Sequence, residues 1–108
     1  MSAAIQITTL MKTLADPTRR AVFERIARSG EATATSLVKG SRVSQPAVSQ
    51  HLRALRDAGL VTERREGRHI HYRVAPRALA PLIDWLGLYQ TFWRERFDNL
   101  ETLLKENE

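Results

Sequence analysis

Around Gly59 the spacing of apolar residues changes from near 3.6 to 2, and that change dictates where a helix must stop and a strand begin. Upstream, Val48, Leu52 and Leu55 follow i, i+4, i+7 and define the buried face of a helix. Downstream, Ile70, Tyr72 and Val74 alternate with His69, His71 and Arg73. Gly59 is placed to end the helix in a left-handed conformation. Arg65-Glu66-Gly67-Arg68 reads as the turn of a hairpin, with Gly67 free to take the positive φ that a short loop requires. An isolated hairpin is marginal in water, so its Ile70/Tyr72/Val74 face must pack on a helical body.

That body is legible in the rest of the chain. Ile7, Leu10, Met11 and Leu14 recur at i, i+3, i+4, i+7 and predict a first amphipathic helix. Asp16 is the expected N-cap of a second, with Pro17 at its first position, Val22, Phe23 and Ile26 as its stripe, and an end at about Ser29 before Gly30. Arg19, Arg20 and Arg25 lie off that stripe. A short helix around Thr35 to Lys39, a turn over Gly40 to Val43, and a longer helix capped by Ser44 and running to Ala58 make residues 34–58 a helix-turn-helix. Residues 60–75 are then its wing. After Pro76, and more clearly after Pro81, one long helix is expected, with Gly87 inside it marking a close helix contact at a cost of about 1 kcal/mol. The predicted architecture is a single domain over residues 1–108, mainly α with a small β-hairpin, in the order α-α-α-α-β-β-α.

The balance of 17 Lys+Arg against 12 Asp+Glu, a formal charge of +5, suits a polyanionic partner. No cysteine is present, which excludes disulfides, thiolate metal sites and thiol redox switching. No nucleophile–base grouping or phosphate loop points to an enzyme. The N-terminal MSAAIQITTLMKTLADP has no basic region ahead of an apolar core, and no run is long enough to span a bilayer, so the expected location is the cytoplasm, at the nucleoid, without membrane association.

On the longer helix Pro46, Gln50, Arg53 and Asp57 fall opposite the core triad, with Gln45, Ser49 and Arg56 on one flank. Glutamine can pair with adenine and arginine with guanine in a major groove, and serine reaches base edges or phosphate. The candidate base-reading residues are therefore Gln45, Pro46, Ser49, Gln50 and Arg53 of a helix that enters double-stranded DNA. Candidate backbone contacts are Ser44 at the helix N-terminus, Arg56, and the wing residues Arg64, Arg65, Arg68, His69, His71 and Arg73. Arg19 and Arg20 either hold Asp16 or reach the DNA backbone. His51, at the border of the core face, is expected to be a hydrogen-bonded structural residue. A metal at His69-x-His71 is opposed by Arg68 and Arg73 beside it, and phosphate contact is the better reading.

LADPTRR, SQPAVSQHLRALRDAGLV and REGRHIHYRV, in that order and spacing between Leu14 and Val74, resemble the ArsR family of bacterial winged helix-turn-helix repressors. The resemblance implies a homodimer that represses transcription from a palindromic operator and pairs its first and last helices, residues 1–15 and 81–105, across a two-fold axis. The residues support that pairing independently, because they offer more apolar surface than one small domain can bury. The candidate interface is Ile7, Leu10, Met11, Leu14, Leu82, Trp85, Leu86, Tyr89, Phe92, Trp93, Phe97 and Leu100; the aromatic members could alternatively line a ligand pocket. Founding members of the family sense metal or arsenite through a cysteine motif in the helix before the recognition segment, where this chain reads SLVKGSRV. A second family site takes Asp, His and Glu from the terminal helices, where this chain has Asp84, Glu95 and Asp98 but no histidine. No metal, cofactor or thiol sensing is therefore expected, and no inducer is indicated. The alternative to a DNA reader is a winged-helix protein-interaction module that has lost DNA binding, which would show no salt-sensitive binding to any duplex.

Overall fold

Asp16 and Pro17 make the first corner of the fold. In the computed structural model, which describes residues 2–107, α1 (Ala3–Ala15) stops at Asp16 and α2 (Pro17–Ser29) begins directly after it. The Asp16 carboxylate accepts the Arg19 backbone N–H at 2.9 Å, and that bond holds its pKa below the usual value. Arg19 and Arg20 do not reach back to Asp16 with their guanidinium groups. They donate instead to the last carbonyls of α1, Thr13 at 3.3 Å and Leu14 at 2.7 Å, groups that a helix C-terminus leaves without partners.

The chain continues through β1 (Ala32–Thr33), α3 (Ala34–Val38), α4 (Gln45–Asp57), β2 (Val61–Glu66), β3 (His69–Val74), α5 (Ala80–Gly87) and α6 (Gln90–Glu106). Thr33 and Ser36 form a reciprocal capping box on α3. Ser44 caps α4, accepting the Ala47 N–H at 3.3 Å, and Gly59 turns the chain out of α4 at φ +79. The hairpin loop is the two residues Gly67–Arg68, shorter than the four-residue turn expected, with Glu66 opposite His69 and Gly67 at φ +62. Strand β1 was not foreseen. It is only two residues long, too short for a period to show, yet it pairs Ala32 with Tyr72 and Thr33 with His71 and makes a three-stranded antiparallel sheet of order β1-β3-β2.

Val48, Leu52 and Leu55 are buried as predicted, against Leu10, Val22, Phe23, Ile26, Leu37, Leu60 and Val61. Each such side chain contributes about 1.5–3 kcal/mol by leaving water. Tyr72 and Val74 pack against this core, whereas Ile70, nearer the hairpin tip, is half-buried beyond it. Leu10, expected at a dimer interface, is instead 2% exposed within the protomer, and Leu14 and Leu82 also pack against the core; the first helix turns its central residues inward onto α2.

The expected single helix after Pro81 is two. The Leu88 and Tyr89 N–H groups bond to Trp85 and Leu86, three residues back, at 3.2 and 3.1 Å, and this tighter turn separates α5 from α6. Gly87, placed inside a continuous helix by its sequence, ends α5, and among the described residues of the protomer a Cβ there would meet nothing within 4 Å. Beyond the break α6 projects from the body. The radius of gyration is 18.5 Å, where a compact domain of this length has about 13 Å. Among the described residues no helix is long and apolar enough to cross a membrane.

Candidate nucleic-acid interface

The amphipathicity of α4 divides its residues cleanly. With Val48, Leu52 and Leu55 buried, Gln45, Pro46, Ser49, Gln50 and Arg53 are all exposed along the opposite side. Among the described residues, no side chain bonds to Gln45, Ser49, Gln50 or Arg53, so their donors and acceptors face solvent. Ser44 stands at the N-terminal end of the same face. Arg56, at the other end, is held by Asp57 at 3.3 Å and by Glu63 of β2 at 3.2 Å, which ties the recognition helix to the root of the wing and raises the Arg56 pKa.

Pairing across the hairpin sorts the wing residues by face. Thr62, Arg64 and Glu66 lie opposite Arg73, His71 and His69, while Val61, Glu63 and Arg65 lie opposite Val74, Tyr72 and Ile70. Arg64 therefore points away from the helices. Its guanidinium bridges Glu66 at 2.6 Å and Glu31 at 2.8 Å, which raises its own pKa and, through the hydrogen bond to Glu66, lowers that of the glutamate. His71, expected on an open face, is half-buried, with Nδ1 3.1 Å from Glu31 and Nε2 3.8 Å from Glu66, and Arg73 Nε lies 3.8 Å from Glu31. Glu31 and Glu66 thus engage three of the predicted wing contacts. Arg65, Arg68 and the exposed His69 have no ion-pair partner among the described residues. Burial raises the Tyr72 pKa on the inner face.

Glu31 and Glu63 were not singled out in the sequence, since Glu31 meets Arg64 from 33 residues away and no local pattern reports that. Arg25 lies off its helix's apolar stripe, and helical spacing alone gives it no partner. His51 departs from its expected role: its Nδ1 is buried without a hydrogen-bond partner among the described residues. No three His, Asp or Glu side chains among the described residues come together as a metal site.

The helix-turn-helix domain family matches residues 14–64, from the end of α1 to the middle of β2. The arsenical resistance operon repressor of Escherichia coli is 39% identical over 97 residues, which is 89% of this chain and 80% of that protein. The chain belongs to the ArsR family of DNA-binding, winged helix-turn-helix transcriptional repressors. Another ArsR relative, the arsenic resistance transcriptional regulator ArsR1 of Pseudomonas putida, is 42% identical over 67 residues, and the match spans 62% of this chain and about half, 52%, of that protein. An ArsR-like transcriptional regulator from a Rhodococcus species superimposes with a TM-score of 0.73 at 27% identity, covering 93% of both chains. The winged helix-turn-helix domain of a possible ArsR-family regulator from Mycobacterium bovis, described as homodimeric, has a TM-score of 0.65 at 28% identity over 79% of this chain and 78% of that one. The ArsR assignment accounts for the helix-turn-helix and the wing together.

Proposed function

We propose that this repressor acts as a homodimer on a two-fold-symmetric operator and that neither a metal nor a thiol triggers its release. The observation that carries the reading is the unpartnered polar face of α4. Gln45, Ser49, Gln50 and Arg53 are the donors and acceptors that discriminate base edges, on a helix held from behind by three buried aliphatic residues. Pro46 lies among them and shapes the approach. Ser44, Arg65, Arg68 and His69 contact phosphate and set the register. Arg64, His71 and Arg73 instead hold the wing to Glu31, and Arg56 holds it to α4.

Support for the dimer comes from α6, where Trp93, Phe97, Leu100 and Leu104 follow a 4-3-4 spacing at 52–62% exposure, and from an open groove of about 980 Å³ between α1 and α5 lined by Ile7, Met11 and Trp85. The homodimeric M. bovis relative supports the same arrangement. Support for the missing trigger is chemical: soft cations and arsenite select thiolates, and the chain has none.

Selection of bound duplexes from a randomised pool should return an inverted repeat, with half-sites about one helical turn apart. On the recovered duplex, Gln50→Ala and Arg53→Ala should each lose roughly 1–3 kcal/mol of discrimination at one base position, and added zinc or arsenite should leave affinity unchanged. Variants with unaltered sequence preference, or a wild-type chain with no preference at all, overturn the reading.

A further inference from the structure

Arg25 leaves the middle of α2 and closes on the end of a different helix. Its Nη1 donates to the Leu37 carbonyl at 2.7 Å, and its Nη2 to the carbonyls of Ser36 at 2.8 Å and Lys39 at 2.9 Å. These are the C-terminal carbonyls of α3 and its cap, the groups that a helix leaves without intrahelical partners and where its dipole is negative. With only five residues, α3 is far too short to hold itself together. The chain between it and α4 turns at Gly40, φ +75, and reaches the α4 cap at Ser44 four residues later. Arg25, Leu37, Ser41, Val43 and Val48 border one small gap of about 90 Å³, so α2, the turn and the recognition helix meet where the guanidinium sits.

We propose that Arg25 is a positioning residue for sequence reading: its planar fork clasps α3, fixes the α3–α4 turn, and thereby sets where α4 presents its base-reading face. The inference rests on the reading of α4 given above. Phosphate contacts tolerate a slightly displaced helix, whereas paired hydrogen bonds to base edges do not, so losing the clasp costs discrimination before it costs binding. Lysine keeps the charge but cannot serve three carbonyls in one plane, which makes Arg25→Lys the informative variant.

The test measures Arg25→Lys against the wild-type chain on the duplex recovered by selection and on a scrambled duplex of the same composition, together with amide exchange. Affinity for the selected duplex should fall by roughly 10- to 100-fold, the scale of one or two charge-assisted hydrogen bonds, while affinity for the scrambled duplex stays within about twofold. Exchange at the Lys39, Ser41 and Val43 amides should accelerate, with the α2 amides as protected as in the wild type. Wild-type exchange at the turn overturns the proposal, and so does an equal loss on both duplexes. A wild-type chain that does not discriminate overturns the base-reading assignment, and the exchange measurement then still decides the clasp.

Discussion

Arg64 and Arg65 are neighbours in the chain and opposites in the sheet, one clasped by two glutamates and the other directed to the side of the recognition helix. Each phosphate neutralised changes the slope of log K against log salt by about 0.9, so Arg65→Ala should flatten the slope by nearly 2 in a dimer with one such contact per subunit. Arg64→Ala should leave the slope almost unchanged, because its charge is already balanced within the protein; titrating affinity against salt separates the two. The alternation of the hairpin was enough to put these residues on different faces. What the alternation could not supply was Glu31, brought to the wing by the α2–β1 corner from 33 positions away. The base-reading candidates of α4 were legible for the opposite reason, since three buried residues at helical spacing locate the exposed side without any long-range contact.

Among the elements, those defined by their own caps and period were readable: Asp16-Pro17 and Ser44 start α2 and α4 where the sequence places them. Elements defined by a neighbour were not. β1 exists because β3 is there to pair with it, and the α5–α6 break interrupts an apolar stripe that keeps its spacing straight through Gly87 and Leu88. Beyond that break, Phe92 and Trp93 stack edge to face at 5.2 Å, and Trp93 lies 6.2 Å from Phe97, an aromatic surface facing solvent. Replacing Trp93 with glutamate should convert the proposed dimer to monomer. A central aromatic contributes about 2 kcal/mol or more, and two-fold symmetry counts it twice, so dissociation should become easier by about a thousandfold. Sedimentation of wild type and Trp93→Glu across a dilution series measures this, and an unchanged mass would mean that α6 packs elsewhere.

For the whole molecule, the charges that shape the interface also set its response to acid. Asp16 and Glu66 have pKa values below their ordinary values of 3.8 and 4.5, Asp16 chiefly through the Arg19 N–H and Glu66 through Arg64. Carboxyls made more acidic by folding bind fewer protons in the native state than in the unfolded chain. Their contribution is therefore complete above the ordinary carboxylate range and is lost as pH falls through the lowered values. Urea unfolding followed from about pH 6 to pH 3 should show stability falling with pH, and the double variant Asp16→Asn, Glu66→Gln should show a shallower fall.

The apolar side of α6 has one more consequence. In a homodimer closed by that helix, each copy completes its partner's hydrophobic surface, and a lone chain cannot span both halves of an operator. Below the dimerisation constant the spanning species grows as the square of the chain's concentration, so halving the amount of protein removes about three-quarters of it. Growth and dilution alone can then relieve repression, with the protein's own abundance as the signal.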